Sequence, residues 1–310
     1  MEHALVTGGA GFIGSHLVEG LLARGVRVTV LDNFSTGRAE NLAASARHPD
    51  LRILTGDVRD PAAVQAALRG ADVVFHLAAF VSVPGSIERP ITSLEINDLG
   101  TAQVLEAARR AGVQRVVLAS SAAVYGDHTT LPLHEDLPPR PLSPYAAEKV
   151  ANEALAFAYT QLGLPTVALR FFNVYGPRQR SDSPYAAAIP KFVERLRAGQ
   201  PPIIYGDGRQ TRDFVFVRDV VQALLAAAQA PEAPGRVYNV CTGQGIAVLD
   251  VLAELYRFFP KAPGPRFEPP RAGDIRHSVG DPRRAAEELG FRTRTPLLRG
   301  LRAVVNAAAT

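Results

Sequence analysis

Tryptophan is absent from the 310 residues, and cysteine and methionine occur once each, as Cys241 and Met1. A single thiol excludes an internal disulfide and any paired-cysteine metal or redox site. Lysine is almost as scarce: Lys149, Lys191 and Lys261 are all there are, so arginine carries the positive charge. Those arginines are scattered and the net charge is only +4, which argues against a nucleic-acid surface. No stretch approaches the roughly 18 uninterrupted apolar residues of a membrane span. The start MEHALVTGG lacks the basic and apolar regions of a signal peptide. The expectation is a cytoplasmic protein with neither nucleic-acid nor membrane partners. Seven histidines without ligand spacing give no reason to expect a metal.

What is present is an ordinary globular composition, 47% hydrophobic and 21% charged, in a chain long enough for one large domain or two lobes sharing a cleft. Short apolar runs at His3 to Thr7, Arg27 to Leu31, Leu51 to Leu54, Val73 to Leu77, Val116 to Ala119 and Thr166 to Leu169 read as buried strands. Between them Phe12 to Arg24, Ile91 to Ala111 and Pro144 to Leu162 read as helices. Such alternation predicts an α/β fold, a doubly wound parallel sheet of the Rossmann-like kind. From about Pro184 proline and glycine cluster and the rhythm loosens, which predicts a smaller C-terminal α+β lobe for the substrate. The expected division is 1–170, rejoined by about 215–242, for the first unit, and 171–214 with 243–310 for the second.

The segment TGGAGFIG follows the first strand and opens the first helix. Gly8, Gly11 and Gly14 permit a tight turn, close approach of backbone to a pyrophosphate, and close packing of helix on strand. The helix N-terminus adds free N–H groups for phosphate. A glycine triplet alone also fits a plain strand-to-helix turn, but Asp32 ends the second strand about 18 residues on, where a carboxylate accepts ribose hydroxyls and repels a 2'-phosphate. NAD is therefore expected over NADP. Asp57, after the third strand, either holds the adenine amino group or is a turn aspartate.

Ser143-Pro-Tyr-Ala-Ala-Glu-Lys149 reads as a helix start, with Ser143 as N-cap. Tyr145 and Lys149, four apart, share one helix face. A phenol titrates near 10, and making it a base near pH 7 takes about 4 kcal/mol of differential stabilisation. Lys149 and an oxidised nicotinamide, both cationic, act in that direction.

TGGAGFIG, Asp32, HLAA (76 to 79), Asn97 in NDLGT, SSAAVYG and YAAEK, in this order and spacing, resemble the extended short-chain dehydrogenase/reductase superfamily over essentially the whole chain. Within it the sequence most resembles NAD-dependent nucleotide-sugar epimerases of the UDP-glucose 4-epimerase type. The resemblance implies that Phe12 and Ile13 in the glycine turn, Asn33 beside Asp32, Val58 beside Asp57, and Leu77, Ala78 and Ala79 line the NAD site. It adds Asn97, Ser120, Tyr145, Lys149 and Phe172 to that site. Ser121 matches the family's catalytic Ser/Thr and would bond the reacting sugar hydroxyl alongside Tyr145, although a serine there also suits a strand exit. Asn173 in RFFNVYGP, Arg212, Arg271 and Asp274 would hold the nucleotide diphosphate and ribose of a UDP-sugar.

Two alanines follow Ser121. In the resembled superfamily dTDP-glucose 4,6-dehydratases carry Asp-Glu there and UDP-glucuronate decarboxylases carry Glu at the second place. Ala122 and Ala123 supply no acid or base for elimination. The expected activity is epimerisation at C4 of a UDP-hexose through a 4-keto intermediate; a reductase, dehydratase or decarboxylase of the superfamily, or an NAD-bound regulator without turnover, are the alternatives. Ser278 matches the position that gates the sugar 2-substituent, and its small size would admit an N-acetyl group. The helices 91–111 and 144–162, rich in alanine, correspond to the family's dimer interface, which implies a homodimer.

Overall fold

The computed structural model describes residues 1–182, 187–270 and 275–307. The six apolar runs form β1 (His3–Thr7), β2 (Arg27–Asp32), β3 (Leu51–Thr55), β4 (Val73–His76), β5 (Arg115–Ser121) and β6 (Thr166–Phe171). Every residue of β1, β4 and β6 is buried, the pattern of strands covered on both faces. Downstream come β7 (Asn173–Tyr175), β8 (Ile203–Tyr205), β9 (Thr211–Arg212), β10 (Phe214–Phe216) and β11 (Arg236–Val240). β11 returns to the large sheet, whose order is β11-β6-β5-β4-β1-β2-β3, parallel throughout. The order reverses between β1 and β4, so their C-terminal ends open a crevice there.

The helices are α1 (Phe12–Leu22), α2 (Pro61–Leu68), α3 (Val83–Glu88), α4 (Pro90–Leu94), α5 (Gly100–Arg110), α6 (Pro144–Gln161), α7 (Ala188–Arg197), α8 (Val217–Gln229) and α9 (Val248–Tyr256), with a short helix and a last one after them. α1 and α8 pack together on one face through Leu17, Leu21, Val220 and Leu224, and α2, α5 and α6 cover the other through Val64, Val104 and Ala156. Each such valine or leucine side chain contributes about 1.5–3 kcal/mol on burial. A third core, Phe192, Phe214, Phe216, Val251 and Leu255 among it, lies under α7 and α9 in the second half of the chain. Around it the strands are short: β12 (Ile246–Ala247), β9 and β14 (His277–Ser278) make one small sheet, β7 and β10 another, and β8 pairs with β13 (Arg266–Glu268). Among the described residues no helix is long and apolar enough to cross a membrane.

One expected helix departs from its reading. Residues 91–111 are not a single α-helix but α4, a π turn over Glu95–Leu99, and α5. The cause is tertiary: Asn97 is fully buried, with its side chain bonded to the Phe80 backbone and to Glu148. Its carbonyl also accepts from Thr101 Oγ1 and from Asn152 Nδ2 at 3.1 Å.

Candidate active site

At the crevice Gly8 takes φ +70°, a conformation that L side chains avoid, and its N–H donates to Leu31 O at 2.9 Å. A Cβ on Gly8 would lie 2.8 Å from Ala78 N, and one on Gly14 only 2.2 Å from Gly8 O. The turn therefore packs backbone on backbone, and Gly11 caps α1 without a side-chain acceptor. First-turn N–H groups of α1, with Phe12 and Ile13, are left to meet an anion. Asp32 is buried, with Oδ2 accepting from Ala10 N at 2.9 Å and Oδ1 from Phe34 N at 2.8 Å. Each oxygen keeps lone-pair capacity for a ribose hydroxyl. This cradle fits a dinucleotide. The Leu77 and Ala78 N–H groups both donate to Thr7 Oγ1 at 3.2 Å, which holds the segment running on to Ala79 against the glycine turn.

Other expected cofactor residues sit in contacts of their own. Asp57 accepts from Arg59 through its backbone and guanidinium and from Asn33 Nδ2 at 2.9 Å, and Arg59 holds its carboxyl well below the usual carboxylate range. Val58 is buried, its side chain close against Gly100. Ser120 turns its hydroxyl to Glu153 Oε1 at 2.5 Å, where Glu153 also pairs with Arg170, so its side chain serves a buried ion pair. Phe172 is 5% exposed and packs on Tyr125 and Gly280. Asn97 clamps the Phe80 turn. Sequence reasoning missed a buried line from Thr7 Oγ1 to His76 Nδ1 (2.8 Å) and from His76 Nε2 to Thr101 Oγ1 (3.0 Å), which links the glycine turn to the first turn of α5. Burial pushes His76 down to about 3, so its ring is neutral.

Ser121, Tyr145 and Lys149 are brought together. Ser143 caps α6 by accepting from Ala146 N at 3.2 Å, and Pro144 opens its first turn. Tyr145 follows at once, its N–H donating to Ser86 Oγ at 3.1 Å. Ser121 closes β5, accepts from Ala123 N at 3.1 Å, and stands beside the Tyr145 phenol, whose ionisation its hydroxyl favours. It is thus both a cap of the strand exit and a partner of the phenol. Lys149 lies 5.8 Å from the Tyr145 ring centroid and donates to Ala119 O at 3.0 Å. Burial pushes Tyr145 up to about 12 against the Ser121 hydrogen bond, and pushes Lys149 down to about 8. Desolvation of the phenolate is the largest cause of the raised Tyr145 value, and the Lys149 ammonium is the cation placed to oppose it.

Across the cleft a cavity of about 180 Å³ is lined by Asn173, Gln179, Phe192, Tyr205, Gln210 and Arg212. Asn173 is exposed at the start of β7, and its N–H donates to Asp213 O at 2.9 Å. Arg212 donates to Thr211 O at 2.8 Å. Ser278 is its register partner on β14, so the two expected substrate residues are neighbours. Asp213 anchors this corner by accepting from Thr242 N and Gly243 N at 2.7 and 2.8 Å. Gln179 and Tyr205 escaped the sequence reading because neither lies in a periodic segment. Arg271 and Asp274 lie outside the described residues.

Residues 4–241 match the family described as NAD dependent epimerase/dehydratase. The chain belongs to that family. The epimerase/dehydratase family works with NAD, and the glycine cradle with Asp32 fits that cofactor. A UDP-glucose 4-epimerase of Mycolicibacterium smegmatis is 41% identical over 305 residues, 96% of this chain and 95% of that one. The structure resembles a UDP-N-acetylglucosamine 4-epimerase from Methanobrevibacter ruminantium in complex with UDP-N-acetylmuramic acid, at TM-score 0.95 and 36% identity, covering 99% of this chain and 98% of that one. It also resembles the UDP-glucose 4-epimerase of Thermus thermophilus in complex with NAD, at TM-score 0.89 and 40% identity, covering 98% of each chain.

Proposed function

We propose that this member of the family is an isomerase that inverts C4 of a UDP-hexose, UDP-glucose with UDP-galactose first and the N-acetylhexosamine pair as well. The observation that carries the reading is the convergence of Ser121, Tyr145 and Lys149 at the end of β5, followed directly by Ala122 and Ala123. When bound, NAD supplies the acceptor that takes hydride from C4 and returns it to the opposite face, so no net oxidation remains after a cycle. Tyr145, as the phenolate, receives the proton of the 4-hydroxyl to become the phenol, and gives it back to the C4 oxygen when the hydride returns. Ser121 orients that hydroxyl, and Lys149 contributes positive charge beside the phenol. A ketone at C4 meets only methyl groups at 122 and 123, so neither β-elimination nor an assisted decarboxylation has a proton donor or acceptor there.

Residues 1–170 with 215–242 carry the cofactor in this reading, and 171–214 with 243–310 carry the nucleotide sugar. Asn173 and Arg212 at the cavity suit the diphosphate, with Arg271 and Asp274 expected to complete that site. Supporting a homodimer, Leu94, Leu99 and Phe157 on the α4–α5 and α6 surfaces are 49%, 48% and 56% exposed. The direct experiment incubates the purified protein and NAD with UDP-glucose, UDP-galactose and their N-acetyl forms and resolves products by NMR. Interconversion of a pair is expected. Failure to interconvert any pair overturns the reading.

A further inference from the structure

Glu148 is 3% exposed, and nothing in the chemistry above uses it. Its Oε2 accepts from Ser93 Oγ at 2.7 Å and from Asn97 Nδ2 at 2.6 Å. Its Oε1 is buried and meets no donor among the described residues. A carboxylate stripped of water, with one oxygen unbonded, is costly unless a cation lies within Coulombic reach.

The charged groups around it leave one candidate. On α6 Glu153 pairs with Arg170 of β6 at 2.7 Å. On the π turn Asp98 accepts from Asn152 Nδ2 at 2.8 Å, and Glu95 pairs with Arg59 at 3.4 Å. His76 of β4 is neutral. Glu88 and Arg89, where α3 meets α4, are exposed, and on α5 Glu106 pairs with Arg109 and Arg110. Arg115, at the far end of β5, donates to the carbonyls of Ala227 and Ala230. Tyr145, three residues earlier on α6, carries no positive charge in either of its forms. That leaves the buried ammonium of Lys149, which among the described residues donates to a neutral carbonyl, Ala119 O.

We propose that Glu148 is a positioning residue for the proton-handling pair: a fixed buried anion that keeps Lys149 charged and, through Asn97, ties the Phe80 turn to α6. This rests on the reading of Tyr145 and Lys149 given above. In the same sense, Glu148 leads Asp98 and Glu153 among the carboxylates that oppose loss of the Lys149 proton. It also helps push Tyr145 up and Asp98 up to about 6. Removing the anion therefore lowers all three.

With only three lysines in the chain, ¹⁵N-lysine NMR follows Lys149 directly, its signal identified by loss in Lys149→Arg. Glu148→Gln keeps an acceptor for Ser93 and Asn97 but removes the charge. The Lys149 midpoint is expected to fall by about 1 pH unit while Lys191 and Lys261 hold still. The alkaline limb of kcat should move down with it, whereas a merely structural role would lower kcat and leave the limb in place. An unchanged midpoint, or a limb that does not follow it, overturns the proposal. Asp98→Asn is the second variant: a smaller drop supports Glu148 as the main anion, and a drop of about 1 unit or more assigns the role to Asp98 and overturns it, whether or not Glu148→Gln folds. The titration reads the ammonium whatever the reaction, so full activity in Tyr145→Phe would sink the functional reading separately.

Discussion

Around the glycine turn the strands are four to seven residues long, parallel and locked in one register, whereas around the cavity lined by Asn173 and Arg212 they are two or three residues long and divided among three small sheets. In the first region position is set by backbone against backbone, as where Gly14 faces Gly8 O and Gly8 faces Ala78 N. In the second it is set by side chains, Asp213 on the 242–243 backbone and Arg276 on Asp207 at 2.7 Å. The difference teaches where the two regions fail. The cofactor side has no slack for an added methyl group, while the substrate side can change a residue and shift affinity or specificity instead of losing its fold.

The harshest test of that contrast is Gly14→Ala. Its Cβ would stand 2.2 Å from Gly8 O, so the turn must open. A loss of about 3 kcal/mol is expected in a denaturant titration, together with weakened NAD binding by calorimetry. Wild-type stability and affinity would contradict backbone packing as the determinant. Tyr145→Phe comes next and leaves packing alone: turnover should drop about 100-fold with NAD affinity unchanged, as steady-state and binding assays would read. Ser121→Ala should cost less, because it removes a hydrogen bond and keeps the base. On the substrate side Arg212→Ala should raise KM about 10-fold with a smaller effect on kcat, the mark of a group that binds ground and transition state alike. A pure kcat loss would place Arg212 nearer the chemistry than the cavity suggests. The mildest is Ser278→Tyr, which should suppress the N-acetylated pair by about 10-fold relative to UDP-glucose and leave the melting temperature within error. Equal loss on both pairs, or none on either, would remove Ser278 as a gate.

Legibility in the sequence divides along the same line. All six apolar runs of the first half form strands, because continuous apolar stretches bounded by Gly, Asp or Pro have few other uses, but the expected burial fails at β3, which lies at the sheet edge with Arg52, Ile53 and Thr55 exposed. Even so, β5 extends beyond the expected Ala119 to include Ser120 and Ser121. The π turn at Glu95–Leu99 was not legible, since it follows from Asn97 reaching Phe80 and Glu148, contacts between segments 17 and 51 residues apart. Tyr145 and Lys149 were legible as a helical pair, but the balance of burial and charge that raises one and lowers the other was not. Glu148, next to Lys149, carries no signal of its own in the sequence, and α4 and the π turn packed against α6 make it a buried carboxylate. The cavity residues Gln179 and Tyr205 gave no signal, because Gln179 lies in a loop after β7 and Tyr205 ends a strand of three residues, too short to carry a period.

The central claim is that hydride leaves C4 and returns to it, with Tyr145 moving only the hydroxyl proton and no acid or base at Ala122 or Ala123. Turnover of UDP-glucose in D₂O, followed by NMR of the recovered sugars, tests it most directly. The account predicts UDP-galactose carrying no solvent deuterium at C4 or C5. Deuterium at C5 would reveal elimination chemistry, and deuterium at C4 a proton exchange at carbon, either of which would contradict it.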